Sequence, residues 1–443
     1  MNEMRLTRTE FLFGVAASLG SWRLWADANG LPSYYGEYLA GVAAKVKRLA
    51  GEGSDGFWFI TDPHVKSNHC MSGRLIAELV RRTGVRRVLC GGDFVDAFGR
   101  KEAIDSAIAL FREKWVSPIR EAGGLLYTAK GNHDFTIRHS MNPKDGDRGF
   151  TYPGLVARRI LVGEWTEKGT VANSDDPSGC YFYFDEPDSR IRYVVADTCD
   201  TEKAEDVAWG VMPGIHGRQL EWLSRMAFGT LPDGWSAVVM HHIPVTGVVG
   251  TDSDEKTYSS FRDLLDKYHD RILLDLTGHH HCEMQTCQHG VWHVTNPCDA
   301  AYGDYINRSK PWCPNLPVKK VGTVFEQTFD AVQVDRNRSR IYLTRIGGGG
   351  DRILHRHPVR LAIGQEQRYV SSLDGEVVWG CYDADRVDNI PDPSNRWGKL
   401  AVYHSDVATI TPSGVLKGLK KGESVVVALA KNGDKELWSV VVS

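Results

Sequence analysis

Six short apolar runs, each followed closely by Gly, His, Asp or Asn, constrain this chain more than any other feature. They are Phe57-Trp58-Phe59-Ile60, Val88-Leu89-Cys90, Leu125-Leu126-Tyr127, Tyr193-Val194-Val195-Ala196, Ala237-Val238-Val239-Met240 and Ile272-Leu273-Leu274. Runs of this length between turn residues read as buried strands. Helical spacing lies between or ahead of them: Leu39, Val42, Val46 and Leu49, then Leu75 to Arg82, then Ile104, Ile108, Phe111 and Trp115. Alternation of this kind predicts a layered α/β core. In such sheets ligands gather at the C-terminal ends of the strands, where the polar clusters fall.

The 443 residues, 42% hydrophobic and 25% charged, have room for a large domain and a smaller one. A net charge of −3, from 53 basic against 56 acidic residues, gives no general attraction to nucleic acid or anionic membrane. No nucleic-acid partner is expected. Arg5 and Arg8 precede an apolar run from Phe11 to Leu19 and small residues around Ala26-Asp27-Ala28, the outline of a signal peptide over residues 1–28. The run is shorter than the ~20 residues of a membrane span, so no integral membrane helix is expected. Residues 6–12 resemble a twin-arginine signal with Thr9 in place of the second Arg. The competing reading is an N-terminal extension of a cytosolic protein. Nine cysteines imply no disulfide scaffold, although Cys282, Cys287, Cys298 and Cys313 cluster and two of them could be joined in an exported protein.

The polar clusters are Asp62-Pro63-His64, Gly92-Asp93-Phe94-Val95-Asp96, Gly131-Asn132-His133-Asp134, His241-His242-Ile243-Pro244, Gly278-His279-His280-His281 and, more weakly, Asp197-Thr198. Any one alone is more often structural than functional. Together they bring carboxylate, imidazole and amide donors to one sheet edge, a set suited to divalent Mn, Fe, Zn or Mg. A competing zinc site from Cys282, Cys287, His289 and His293 fits less well, because the two cysteines are poorly spaced.

In this order the clusters resemble the calcineurin-like metallophosphoesterase family, whose pattern runs Asp-x-His, Gly-Asp, Gly-Asn-His-Asp/Glu, His and Gly-His-x-His. The resemblance covers roughly Gly56 to Arg352. It implies a four-layer α/β/β/α sandwich and two divalent ions, of Mn, Fe or Zn, acting on a phosphate ester. It further implies that Asp62, His64 and His281 hold one ion, that Asn132, His279 and a His of the 241–242 pair hold the other, and that Asp93 bridges them. Of the pair we take His242, leaving His241 as the alternative. A bridging water activated by ions about 3.5–4 Å apart would attack phosphorus in line. His133 would face the substrate as proton donor or charge stabiliser, oriented by Asp134. His280, the variable position, reads as exposed or as supporting a ligand from behind. Purple acid phosphatases carry Tyr where this chain has Asp96, so a colourless protein is expected.

Between Met141 and Ser178 the chain shows no clear period and reads as an excursion beside the core, either shaping the substrate entrance or merely solvated. Tyr152, Trp165 and Tyr181-Phe182-Tyr183 are candidates to stack a base or sugar, or local core, and Arg138 is a candidate phosphate contact. Thr328 to Ile346 reads as an antiparallel hairpin closing a domain of residues 29–356, with Gly347 to Gly350 ending it. Residues 357–443 read as short strands, and Asp406 to Gly422 resembles the bacterial immunoglobulin-like group 2 domain, a β-sandwich of surface proteins. Lys417, Lys420 and Lys421 there form either a basic patch or a solvated turn face. The resulting expectation is a secreted, periplasmic or cell-envelope phosphoesterase, of monoesters or diesters, with possible envelope contact through its C-terminal module. The alternative is a non-catalytic surface-binding protein on the same scaffold, in which the bridging Asp or a site His would be lost; neither is.

Overall fold

The computed structural model describes residues 30–51, 53–65, 68–95, 101–134, 154–200, 214–245, 255–300, 319–385 and 404–443. The leader over residues 1–28 and residues Asp96, Arg138, Tyr152 and Cys313 lie outside these.

Helix α1 (Tyr35–Leu49) buries Tyr35, Leu39, Val42 and Val46 at the three- and four-residue spacing that puts them on one side. Strand β1 (Ser54–Ile60) follows, then α2 (Ser72–Thr83), which ends on Gly84 in the left-handed conformation that glycine reaches without a steric penalty. After β2 (Arg87–Cys90), α3 (Lys101–Phe111) continues through one widened π turn at Arg112–Val116 into α4 (Ser117–Glu121). Ile104, Ile108, Phe111 and Trp115 stay buried across that change of pitch. Strand β3 (Leu125–Thr128) lies parallel to β2, as β2 does to β1.

The chain then crosses to a second sheet of β4 (Val171–Ala172), β5 (Phe182–Glu186), β6 (Ile191–Val195), β7 (Ser236–Met240), β8 (Ile272–Thr277), β9 (Met284–Gln288) and β10 (Val291–Thr295). Its spatial order is β4-β5-β6-β7-β8-β10-β9, with β6, β7, β8 and β10 parallel to one another. Between the sheets Phe57, Phe59, Leu89 and Tyr127 meet Phe182, Phe184, Tyr193, Val238 and Leu274. The outer face of the first sheet is covered by α1 to α4. The outer face of the second packs against α6 (Gly217–Trp222) and α7 (Glu255–Lys267) through Trp222, Phe261 and Leu265. Helix, sheet, sheet and helix are therefore the layers.

The 141–178 stretch differs from expectation in its described part. It holds helix α5 (Gly154–Arg158), extended by a π turn at Arg159–Trp165, and Ile160, Leu161 and Trp165 are buried. The Trp165 ring lies 5.5 Å from that of Phe94 and 4.7 Å from that of Phe111, so this part is core. Arg158-Arg159 and Gly163 interrupt the apolar period that would have revealed the helix. Tyr181, Phe182 and Tyr183 are likewise core, not a stacking platform, with the Tyr181 hydroxyl donating to Asp176 at 2.9 Å.

The chain returns to the first sheet with the expected hairpin, β11 (Thr328–Asp335) and β12 (Arg340–Gly347), but β11 pairs with β1 and the hairpin lies inside the sheet. Gly347 to Gly350 link β12 to its neighbour β13 (Arg352–Leu361), so the 356/357 boundary falls within a strand. Beyond it come β14 (Glu366–Arg368), β15 (Val377–Asp383), β16 (Ala408–Ile410), β17 (Val415–Gly418), β18 (Gly422–Ala430) and β19 (Lys435–Val442). The described part of this segment is all strand and turn. β19 pairs in parallel with β13, giving a nine-stranded sheet in the order β15-β18-β19-β13-β12-β11-β1-β2-β3. Val425, Val427 and Leu437 point into the core between the sheets. Val426, Ala428, Trp438 and Val440 form a smaller core with Leu361 and Leu416. Lys417 pairs with Glu366 at 3.2 Å, while Lys420 and Lys421 are exposed. No helix among the described residues is long and apolar enough to cross a membrane.

Candidate metal centre

The parallel strands of both sheets end at one place. β1 delivers Asp62 and His64, β2 Asp93, β3 Asn132 and His133, β7 His242, and β8 His279 and His281. Neighbouring loops are tied by backbone hydrogen bonds, from Asp62 N to Gly92 O, His64 N to Asp93 O and Gly278 N to His242 O, each 3.0 Å. Asp62, His64, Asp93, His279 and His281 all have positive φ, from 38° to 68°. For non-glycine residues this left-handed region costs about 1–3 kcal/mol each and persists only where the surroundings enforce it. The loops turn so sharply that two glycines are needed. A Cβ on Gly131 would stand 2.2 Å from Asp93 Oδ1, and one on Gly278 would stand 2.0 Å from Thr61 Oγ1.

One ligand atom each from Asp62, His64, Asp93 and His281 lies within 4.8 Å of all the others. His281 Nε2 is 3.2 Å from Asp62 Oδ1, and His64 Nε2 is 3.8 Å from both Asp62 Oδ1 and Asp93 Oδ2. Donors at about 2.0–2.2 Å from a common ion have this spread. A second group adjoins it: His242 Nε2 is 3.0 Å and His279 Nδ1 2.8 Å from Asn132 Oδ1, and His242 Nε2 is 3.2 Å from Asp93 Oδ2. All seven residues come together, with Asp93 between the groups.

The polarity of these atoms is informative. His242 Nδ1 donates to Gly91 O at 2.8 Å, so in a neutral ring Nε2 carries only a lone pair. That lone pair faces two oxygens, Asp93 Oδ2 and Asn132 Oδ1. Asp93 Oδ2 is buried and accepts no well-aligned hydrogen bond. A positive charge must sit among these acceptors, as a metal ion or as a proton on His242. Burial alone would lower the His242 pKa, but Asp93 and Asp62 overcome this and push it up to about 10. Burial alone would likewise raise Asp62, yet His242 and His281 hold it low. Burial lowers His64 to about 4, leaving a neutral ring able to coordinate.

A pH dependence follows for the metal-free protein. The folded pKa of His242 lies above the unfolded value of about 6.5, so its stabilising charge is complete below that pH and is lost as pH rises through about 10. Thermal melts of chelator-treated protein should show a declining Tm over that interval which His242→Ala lacks. Parallel profiles for the two proteins would remove this role.

His241 turns away: its Nε2 is 2.9 Å from Asp275 Oδ1, and Asp275 Oδ2 is 2.8 Å from His293 Nδ1. Asp134 does not orient the His133 ring as expected. Its carboxylate accepts the backbone N–H groups of Asp93 (2.8 Å), Phe94 (2.7 Å), Val95 (3.2 Å) and Gly131 (2.9 Å), which locks two site loops together. His133 itself, 24% exposed, stands at the open side with Nε2 4.0 Å from Asp93 Oδ2. His280 is buried rather than exposed, and burial lowers it to about 4. The alternative zinc set does not converge, since His293 pairs with Asp275 and His289 with Glu423. Asp197 forms a buried ion pair with Lys130 at 3.0 Å, tying the end of β6 to that of β3.

Two features beside the site escaped the sequence reading. Lys130, just before Gly131, carried no signal of its buried partner. Cys298 is a buried thiol whose Sγ donates to Asp62 O at 3.2 Å and lies within 4.8 Å of His64 and His281 ring nitrogens. Cys287 and Cys298 are free thiols.

Two facing sheets between helices, with a His/Asp/Asn cluster at their shared edge, define a metal-site phosphoesterase architecture. The chain belongs to the calcineurin-like phosphoesterase family, whose model matches residues 56–283. Similar solved structures include a dimetal phosphatase from Danio rerio, with 15% identity, coverage of 68% of this chain and 99% of that one, and TM-score 0.47. PhoD aligns at 11% identity over 66% of this chain and 65% of its own, with TM-score 0.43. GAP50, the anchor in the inner membrane complex of Plasmodium, aligns at 12% identity over 66% and 84%, with TM-score 0.39. Among curated proteins there is no match to this chain.

Proposed function

We propose that this protein is a phosphoric ester hydrolase using two divalent ions, one held by Asp62, His64 and His281, the other by Asn132, His242 and His279, with Asp93 shared. The observation that carries this is the convergence of Asp62, His64, Asp93 and His281 within 4.8 Å of one another, with Asn132, His242 and His279 meeting beside them on Asp93. The N and O donor set accommodates Mn, Fe or Zn. Bound there, such a pair supplies a deprotonated water at neutral pH and a Lewis acid for phosphoryl oxygens. The chain's own contribution is to hold that geometry and to handle the leaving group.

His133 fits the second task. Its backbone N–H donates to Asp93 Oδ1 at 2.7 Å, which fixes the residue, and its ring stands edge-on to that of His64 at 5.3 Å. An ester over the centre meets this imidazole, which donates its proton to the departing oxygen. Export through residues 1–28 and a surface role for the immunoglobulin-like resemblance of residues 357–443 belong to the same reading, supported by Arg5, Arg8 and the apolar run that follows them.

The test is initial-rate measurement on p-nitrophenyl phosphate and bis-p-nitrophenyl phosphate after chelator treatment and resupply of Mn²⁺, Fe²⁺ or Zn²⁺. His133→Ala should lower kcat about 10²–10⁴-fold while metal content stays at the wild-type value. The ratio of the two wild-type rates divides monoesterase from diesterase. Absence of turnover with every ion would favour the non-catalytic scaffold.

A further inference from the structure

Five charged side chains are buried together behind the loop that carries His279 and His281. Glu283, at the end of that loop, receives Arg345 Nη2 at 2.8 Å, Arg352 Nη1 at 3.2 Å and Lys435 Nζ at 3.1 Å. Asp330 receives Arg345 Nε at 2.8 Å and also pairs with Arg352. Asn296 Nδ2 donates to Asp330 at 2.6 Å. The first sheet brings the row together: Asp330 on β11 is opposite Arg345 on β12, and Arg352 on β13 is opposite Lys435 on β19. Glu283 enters from the second sheet, immediately before β9.

The loop needs such an anchor. His279 and His281 are at φ 68° and 61°, conformations that persist only when both ends of the segment are held. The near end is held by Gly278 N to His242 O at 3.0 Å and by His279 N to the Asp62 carboxylate at 3.1 Å. The far end is held by Glu283. Arg345 and Arg352 also serve Asp330, and Lys435 adds a further cation to Glu283. Both arginines meet Glu283 Oε2, whereas Lys435 is the cation at Oε1, so removing Lys435 releases one oxygen of the anchoring carboxylate and lets the segment move.

We propose that Lys435 and Glu283 are positioning residues for the metal-binding loop, so that the last strand of the chain sets the affinity of the centre for its ion. This rests on the metal-centre reading above. It also makes the C-terminal segment part of the site's construction, although no contact joins its described residues to the ligand set.

The experiment uses the full-length protein, metal-free, titrated with Mn²⁺ alone and read by the paramagnetic signal of free Mn²⁺. Lys435→Met and the nearly isosteric Glu283→Gln should each weaken Mn²⁺ binding roughly 10-fold or more. Lys435→Arg, which keeps the charge, should bind within about 3-fold of wild type on the same scale. At saturating Mn²⁺ the KM for p-nitrophenyl phosphate should be unchanged, because the ester does not meet either residue. Wild-type Mn²⁺ affinity in both Lys435→Met and Glu283→Gln would overturn the proposal. So would an equal loss in Lys435→Arg and Lys435→Met, since that would mark packing rather than charge. If Lys435→Met fails to fold, Glu283→Gln decides. Wild-type protein that binds Mn²⁺ but cleaves neither ester with Mn²⁺, Fe²⁺ or Zn²⁺ would defeat the hydrolase reading alone, because positioning is read from binding. Wild-type protein that binds none of Mn²⁺, Fe²⁺ and Zn²⁺ would defeat both.

Discussion

Asp93→Asn is expected to abolish metal-dependent ester hydrolysis, with a fall of at least about 10³-fold, equivalent to roughly 4 kcal/mol of activation free energy. The side chain is 1% exposed, and three rings reach its Oδ2: His242 at 3.2 Å, His64 at 3.8 Å and His133 at 4.0 Å. Asparagine preserves the shape and can still accept the His133 N–H that Oδ1 now accepts at 2.7 Å. What it removes is the negative charge between the two donor groups, without which the two cations of the proposed centre would repel one another uncompensated. Metal content after dialysis should therefore fall below that of the wild type, to one ion per chain or fewer if the proposed pair is bound, while the circular dichroism spectrum is retained. Full metal content with full activity in Asp93→Asn would remove this residue from the centre.

Deleting residues 404–443 is expected to prevent native folding of the rest of the chain. The deletion removes β18 and β19, and with them Val425, Val427 and Leu437, all 0% exposed in the core between the two sheets. At about 1.5–3 kcal/mol for each buried side chain, these three alone contribute roughly 5–9 kcal/mol, comparable with the 5–15 kcal/mol stability of a whole domain. The deletion also uncovers the β13 edge and strips Lys435 from Glu283. The expected product is insoluble or melts without cooperativity in calorimetry. A truncated protein that stays monomeric, melts cooperatively and binds Mn²⁺ would show instead that the segment is separable.

These predictions differ in how far they could be made from sequence. Asp62, His64, Asp93, Asn132, His279 and His281 were legible because each lies within four residues of the end of an apolar strand. A sheet edge gathers such positions whatever the rest of the chain does. The helices with Leu39, Val42 and Val46 and with Ile104, Ile108 and Phe111 were legible for the same local reason, since burial of one side writes its period into the sequence.

What depended on distant partners was not legible. His242 was taken over His241 from the sequence, but the partners that hold the two rings apart, Gly91 for His242 and Asp275 for His241, were not legible there. Asp134 was drawn to four backbone N–H groups, an arrangement with no spacing signature. Lys130 with Asp197, and Glu283 with Lys435, are charges that only tertiary burial makes into pairs. The parallel pairing of β13 with β19 joins segments far apart in the chain, and alternating apolar residues in each could equally face a separate sandwich. The sequence by itself determined the His/Asp/Asn donor cluster and the layered α/β core, because both follow from local residue type and period. Only the tertiary structure decided how that chemistry is held, because side-chain pairing and sheet order depend on which surfaces exclude water together.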